Sequence, residues 1–136
     1  MLDTNVIIDA VAERQPFDVT AKNILRLFAA QSFNCAITAS TASDIYYITN
    51  KYIKDNDEVI SKLKWLFTVL DIASVDKADC INAFDTGIVD YEDSLLTICA
   101  KKWKANYIIT RNIKDFTNSS IPALTPDDFL GRWKAN

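Results

Sequence analysis

Short apolar runs alternate with longer amphipathic segments along this chain, and that alternation limits the folds it can adopt. Strands are predicted at residues 1–3, 35–38, 71–75, 107–110 and 124–125. Between the strands, apolar residues recur at helical spacing, as Ile24, Leu27 and Phe28 do. Strands that alternate with helices are typical of βαβ units, in which helices cover both faces of a parallel sheet. We therefore expect an α/β fold, with residues 1–136 forming one domain.

Polar residues that can cap a helix mark several of the predicted helix starts. The predicted caps are Asp3 or Thr4, Ser40 or Thr41, Asp57 and Asp76, and Pro126 is predicted to open a final helical turn.

The composition excludes several classes of chemistry. No histidine occurs, which removes Ser-His-Asp triads and histidine metal sites. Gly87 and Gly131 are the only glycines, so the glycine-rich loops that cradle nucleotide phosphates are absent. The three cysteines are far apart, which predicts reduced core residues of a cytoplasmic protein. No apolar run approaches the ~18 residues of a membrane span, so we expect no membrane partner.

Four aspartates fall where the strands of a parallel sheet meet the neighbouring helices. Asp3 ends the first strand, and Asp115 follows the strand at 107–110. Asp44 lies near the start of the helix after the second strand, and Asp93 lies near the start of the helix before the fourth. In open parallel sheets, functional sites form outside the carboxyl ends of the strands, so we expect these four acids to converge.

The helical patterns also predict which way two of the acids point. Asp44 shares a helix face with Tyr47 and Ile48, which predicts that it points inward. Asp93 precedes Leu96 on the apolar stripe of its helix, whereas Glu92 is assigned to the solvated side.

Clustered carboxylates repel one another, and no lysine or arginine lies near enough in sequence to neutralise all four. One or two divalent cations bound by oxygen ligands, Mg²⁺ or Mn²⁺, would remove the repulsion. Each acid taken alone also fits a plain interpretation as a helix cap, a turn residue or a solvated side chain. The metal hypothesis therefore depends on the convergence of the four.

Three segments resemble the PIN domain family, and in particular its VapC-like toxins. They are LDTNVIID at the start, ASDIYYI in the middle and VDYEDSLLTICAKKWKANYIITRNIKDF near the end. The last segment is the most specific, because an acid-led helix runs into a strand and then into T-R-N-x-x-D-F. The resemblance extends from Leu2 to about Leu130.

The resemblance implies a three-layer α/β/α sandwich with a central, mostly parallel sheet and a metal-dependent ribonuclease activity. Its acids map onto Asp3, Asp44, Asp93 and Asp115, as catalytic residues and as ligands of Mg²⁺ or Mn²⁺. It also implies an RNA substrate, an antitoxin partner and a homodimer. Thr4, Asn5 and Thr110 match polar positions that support the acids.

The chain departs from the family pattern at two positions. The family usually has glutamate where this chain has Asp44, and many members have aspartate where Asn112 stands. These departures leave open a catalytically inactive PIN-like binding module. A phosphotransfer enzyme of the haloacid dehalogenase type is disfavoured, because its D-x-D motif would need an aspartate at Asn5.

Cations and aromatic residues near the acid-bearing segments are candidates for holding a substrate or a partner. Four cations are candidates for binding RNA, namely Lys51, Lys54, Arg111 and Lys114. Arg111 is adjacent to the predicted site and is suited to bidentate phosphate binding. Trp65 and Phe67 give one helix an apolar face for a second copy or an antitoxin helix, although core packing is the simpler account.

Overall fold

The computed structural model describes all residues from 1 to 136. The chain forms seven α-helices and four short strands, joined by loops and three short 3-10 turns. The helices are α1 (Thr4–Val11), α2 (Asp18–Ala29), α3 (Ala42–Ile53), α4 (Asn56–Val69), α5 (Lys77–Asn82), α6 (Tyr91–Lys102) and α7 (Pro126–Ala135). The strands are β1 (Ala36–Thr38), β2 (Asp71–Ala73), β3 (Ile108–Ile109) and β4 (Ala123–Leu124).

All strand pairings are parallel, as the alternating pattern predicts. β1 pairs with β2, and β3 pairs with β4. The extended segment 1–3 lies between the two pairs, since Leu2 N donates to Ala36 O at 2.8 Å and Asp3 N donates to Ile109 O at 3.0 Å. The resulting order is β2, β1, segment 1–3, β3, β4. Consequently, the carboxyl ends of all five stretches lie at one edge.

Alternate side chains of these stretches point to opposite faces, which builds the three layers. Leu2, Ile37 and Ile109 belong to a core shared with α1–α4 and α7. Their neighbours Met1 and Ala36 belong to a second core on the other face, beneath α6. Burial of each large side chain stabilises the fold by roughly 1.5–3 kcal/mol. The α/β prediction, with helices on both sides of a parallel sheet, is confirmed.

Three predicted helix starts are found where the sequence places them. Asp3 caps α1 and accepts a hydrogen bond from Thr4 N. Asp76 forms a capping box with Asp79 at the start of α5. Pro126 is the first residue of α7, which continues to Ala135 rather than ending after one turn.

One predicted cap is wrong, and a second has the predicted position, Thr41 at the N-cap of α3, without a capping hydrogen bond. α4 is capped by Asp55 rather than Asp57, because Asp55 Oδ1 accepts from the backbone N–H groups of both Asp57 and Glu58. α3 has no side-chain cap at all, since residues 39–41 form a 3-10 turn that leads directly into the helix. Neither Ser40 nor Thr41 bonds to the free N–H groups of α3.

The three cysteines form no disulfide. Burial raises the pKa of Cys35 and of Cys99 to about 11, so both remain protonated thiols near neutral pH. None of the seven helices combines the length and the apolar character that crossing a bilayer requires.

Candidate active site

Asp3 is a buried carboxylate at the carboxyl edge of the sheet. Its side chain accepts hydrogen bonds from Thr4 N at 2.7 Å, Thr110 Oγ1 at 2.8 Å and Asn5 Nδ2 at 3.2 Å. The residue is 8% exposed, and no cation forms an ion pair with it. Burial raises the pKa of Asp3, although the hydrogen bonds from Thr110 and Thr4 oppose that shift.

The start of α6 presents a second carboxylate, Asp93, to the same edge. Asp90 caps the helix by accepting from Asp93 N at 3.0 Å. Burial raises the pKa of Asp93 to about 7, and the negative charges of Asp3, Asp90 and Asp115 add to that rise. Burial and the neighbouring anions act on this carboxyl group in the same direction, and no cation opposes them.

Glu92 lies at this edge as well. It is exposed, as predicted, but its carboxylate also contacts the site. Its Oε1 accepts from Thr4 Oγ1 at 3.4 Å, although the residue as a whole is exposed. Burial of the carboxylate raises the pKa of Glu92, and the charges of Asp44 and Asp3 raise it further. Glu92 therefore lies close enough to both Asp44 and Asp3 for their charges to act on it.

Asp44 does not point inward, which corrects the prediction. Asp44 and Tyr47 are exposed, whereas Ile45 and Thr49 form the buried stripe of α3. The buried stripe is one position away from the predicted one, because Ile45 and Thr49 have the same four-residue spacing as Asp44 and Ile48 and periodicity alone does not distinguish the two faces. Asp44 remains at the margin of the site, where its charge acts on Glu92.

Asp115 lies in a 3-10 turn at Ile113–Phe116, just past β3. It lines a cavity of about 360 Å³ together with Asp90, Asp93 and Lys114. The loop Gly87–Val89 also lines this cavity. Asn112 is exposed, and its backbone N–H donates to Thr110 Oγ1 at 3.0 Å.

The structure therefore brings Asp3, Asp93 and Asp115 to one edge, with Asp44 at its margin. It adds two acids that the sequence interpretation did not place there, Asp90 and Glu92, which together with Asp93 form the run DYED. The available signal was the spacing between Asp90 and Asp93, which is that of a helix cap and the third helical residue. The six acids at this edge, Asp3, Asp44, Asp90, Glu92, Asp93 and Asp115, are called the acid cluster below.

The acid cluster has the donor chemistry of a Mg²⁺ or Mn²⁺ site. No three of its side chains lie close enough together to hold a metal ion jointly. Mg²⁺ is commonly held by one or two carboxylates, with water and substrate phosphate as its remaining ligands. Asn5 Oδ1, next to Asp3, is a buried acceptor without a hydrogen-bond partner. That orphaned oxygen and the unpaired charge of Asp3 fit a hydrated cation.

A comparison with protein-family models identifies the family to which the chain belongs. A family model for the PIN domain matches residues 1–114, which include Asp3, Asp44, Asp93 and Arg111. The chain belongs to the PIN domain family. PIN domains are generally nucleases that use divalent metals and act on RNA. No curated protein is significantly similar to the chain.

Family membership gives the chain a coarse function, that of a nuclease. The matched residues contain all four predicted acids except Asp115, which lies immediately beyond them. Neither the acids as individual ligands nor the toxin subtype follows from that match.

Proposed function

We propose that this PIN domain is a metal-dependent endoribonuclease and the toxin of a toxin–antitoxin pair. The proposal depends on one observation: Asp3 is a buried carboxylate without a paired cation, and its charge helps to raise the pKa of Asp93. A divalent cation is the simplest group that makes this arrangement stable at neutral pH.

Asp3 and Asp93 are the proposed principal ligands, with Asp115 and Asp44 on either side of them. Thr110 and Asn5 fix the Asp3 carboxylate by donating to its Oδ2. Thr4 orients Glu92 through its hydroxyl. These bonds hold the acids in place before any ligand arrives, which limits the reorganisation that binding requires.

The chemistry that a divalent ion supplies in such sites is activation of a water molecule and neutralisation of charge on the phosphate. No protein nucleophile is needed, which agrees with the protonated thiols and the absence of histidine.

Lys114 is the proposed cation for RNA within the cavity that holds Asp93 and Asp115. It lines that cavity and forms no ion pair with a protein carboxylate. Lys51 and Lys54 are exposed at the end of α3, where they can meet a longer strand. An acidic chain can therefore hold RNA through local positive charge.

An antitoxin is proposed to cover the groove between α1, α2 and α4. A cavity of about 330 Å³ there is lined by Leu25, Ala29 and Trp65 and by the cation Arg26. Trp65 is 56% exposed, whereas Phe67 packs against the main core and is not part of this surface. An amphipathic helix with acidic flanks has the matching chemistry.

A homodimer is proposed through a separate apolar surface that precedes α6. Phe84 and Val89 are 76% and 102% exposed, and the rings of Phe84 and Tyr91 lie 4.8 Å apart. The prediction is a dimeric mass in light scattering, with Phe84→Ser giving a monomer. A monomeric parent chain would contradict it.

The decisive test of the proposal is cleavage of single-stranded RNA in Mg²⁺ or Mn²⁺, compared between the parent chain and Asp3→Asn. We expect loss of about a hundredfold or more in rate, because the variant removes a charge that the cation requires. Asp85→Asn is the matched control, since Asp85 is exposed outside the acid cluster. Equal cleavage by parent and Asp3→Asn would contradict the proposal.

The toxin role has its own test, which is growth arrest when the chain is induced in a bacterial host. We expect arrest by the parent chain and not by Asp3→Asn. The second candidate function is a binding module that does not cleave, favoured by exposed Asp44 and neutral Asn112. It predicts RNA binding by both chains with no metal-dependent cleavage by either.

A further inference from the structure

A second buried carboxylate on α1 holds two arginines beside the acid cluster. Asp9 is 1% exposed. Its Oδ1 accepts from Arg14 Nε at 2.8 Å, and Arg14 Nη2 lies 2.7 Å from the same oxygen. Arg111 Nε lies 2.8 Å from Asp9 Oδ2. One carboxylate thus faces two guanidinium groups, and the group of three carries a net positive charge.

The two arginines differ in how many of their N–H groups the fold uses. Arg14 bonds to Asp9 through Nε, and its Nη2 also donates to Asn5 O at 3.2 Å. Arg111 contacts Asp9 through Nε alone, in an ion pair not aligned as a hydrogen bond. Neither terminal nitrogen of Arg111 has a protein partner, and the side chain is 28% exposed. Arg111 therefore keeps its two-pronged end free.

The guanidinium plane of Arg111 is also fixed before any ligand binds. Its central carbon lies 4.2 Å from the centre of the Phe17 ring, which supports one face of the plane. Asp9 fixes the inner edge, so the outer edge is presented to solvent. A preorganised arginine loses less conformational freedom when it binds an oxyanion than a flexible lysine does.

Arg111 is next in sequence to a residue that contacts the acid cluster. Its neighbour Thr110 donates to Asp3 Oδ2 at 2.8 Å. Asp9 follows Asp3 by less than two turns of α1, which is about 9 Å along the helix axis. A phosphate held at Arg111 is therefore close to, and distinct from, one placed at Asp3 and Asp93.

We propose that Arg111 binds a backbone phosphate of the single-stranded RNA next to the one that is cleaved, with Asp9 and Phe17 as positioning residues. This inference depends on the proposed ribonuclease function. The terminal N–H groups of Arg111 donate to two phosphate oxygens, a geometry that arginine forms readily. The contact reads the backbone and not the base, so its effect is independent of sequence.

The test measures binding of a short fluorescein-labelled single-stranded RNA by fluorescence anisotropy. Every titration uses Ca²⁺ in place of Mg²⁺, because Ca²⁺ also takes oxygen ligands, and a gel run afterwards checks that the RNA is intact. Arg111→Met is compared with Arg14→Met, since either change leaves Asp9 with one arginine. Arg132→Met, at an exposed arginine near the end of α7, is the surface control.

We expect Arg111→Met to raise Kd about tenfold. The slope of log Kd against log salt concentration should fall by about 0.7 as one phosphate contact is lost from a single strand. Arg14→Met should lower the melting temperature more while changing Kd less than about twofold, because its N–H groups are used within the fold. Arg111→Lys should retain the salt slope and lose about threefold in affinity.

Unchanged Kd and salt slope in Arg111→Met would overturn the inference and leave the ribonuclease proposal standing. Equal losses in Arg14→Met and Arg111→Met would also overturn it, because they would reflect damage to the shared Asp9 cluster. If Arg111→Met does not fold, Arg111→Lys decides: binding equal to that of the parent overturns the inference. Absence of RNA binding in the parent chain would overturn both proposals.

Discussion

Asp3 and Asp9 are two buried carboxylates on the same short helix, and they differ in what surrounds them. Asp9 faces two arginines, and their positive charges counter the effect of burial on its pKa. Asp3 has three neutral hydrogen-bond donors, and the charged groups that raise its pKa are Asp115 and Asp90. Burial raises the pKa of both groups, but only Asp9 has its counter-charge within the chain.

This difference indicates that the positive counter-charge of Asp3 has to come from a bound ligand. A carboxylate whose partners are arginines contributes to folding, and removing it leaves cations without an anion. A carboxylate surrounded by other carboxylates opposes folding until a cation binds. The fold tolerates that cost at Asp3 because hydrogen bonds fix the side chain where a ligand can use it.

The largest expected effect on stability is at Asp9. Asp9→Asn should lower the free energy of unfolding by about 3 kcal/mol, because it breaks a buried ion pair. For a chain of this size, that corresponds to a fall of about 10 °C in melting temperature. Asp3→Asn should leave the melting temperature in EDTA unchanged or higher, since asparagine also caps helices well. Calorimetry of both variants tests the comparison, and equal destabilisation would contradict the proposed difference between Asp9 and Asp3.

Mg²⁺ should stabilise the parent chain through the acid cluster. At a concentration of 100 times its Kd, a ligand that binds only the folded state adds about 2.7 kcal/mol. The expected result is a melting temperature that rises with Mg²⁺ in the parent chain and in Asp85→Asn, and does not rise in Asp93→Asn. A rise of the same size in Asp93→Asn would place the bound ion elsewhere.

The pH dependence of stability should run opposite to that of ordinary paired carboxylates. The pKa of Asp93 is about 7 in the folded chain and about 3.9 when unfolded, so the folded state binds more protons between these values. Its contribution is therefore complete below about pH 4 and is lost as the pH rises to about 7. Because Asp93 is partly exposed and screened by solvent, the loss should be only about 1 kcal/mol.

Urea unfolding in EDTA at pH 5 and pH 8 measures this decline. Asp93→Asn is the matched variant and should show a smaller fall in the free energy of unfolding across that range. A parent chain that becomes steadily more stable as the pH rises would show that Asp93 is compensated within the fold.

The smallest expected effect is at Glu92. Glu92→Gln keeps an acceptor for Thr4 Oγ1 but removes a charge that lies between Asp44 and Asp3. We expect a several-fold reduction in RNA cleavage, with apparent affinity for Mg²⁺ weakened more than the maximal rate. An initial-rate titration with Mg²⁺ separates the two, and an unchanged titration would remove Glu92 from the site.

The sequence was sufficient for the fold because its layers follow from local patterns. Buried strand residues such as Ile37 and Ile109, and helical stripes such as Leu96 with Ala100, specify their own faces. Parallel strands then place Asp3 and the start of α6 at one edge without any further information.

What the sequence missed depended on competition between local structures. On α3, the pairs Asp44 with Ile48 and Ile45 with Thr49 fit the helical period equally well, and the structure buries the second pair and leaves Asp44 at the surface. Asp55 and Asp57 are both good helix caps, and only the hydrogen bonds formed in the structure distinguish them. The pairing of Arg111 with Asp9 joins distant parts of the chain, which a pattern in one sequence does not reveal.

The central claim is that the acid cluster binds a divalent cation through Asp3 and Asp93. A crystal grown or soaked with Mn²⁺ and measured at the manganese absorption edge tests it most directly. We predict an anomalous peak bonded to carboxylate oxygens of both residues, and no such peak in crystals of Asp93→Asn. A parent crystal saturated with Mn²⁺ in which these two carboxylates carry no ion would contradict the account.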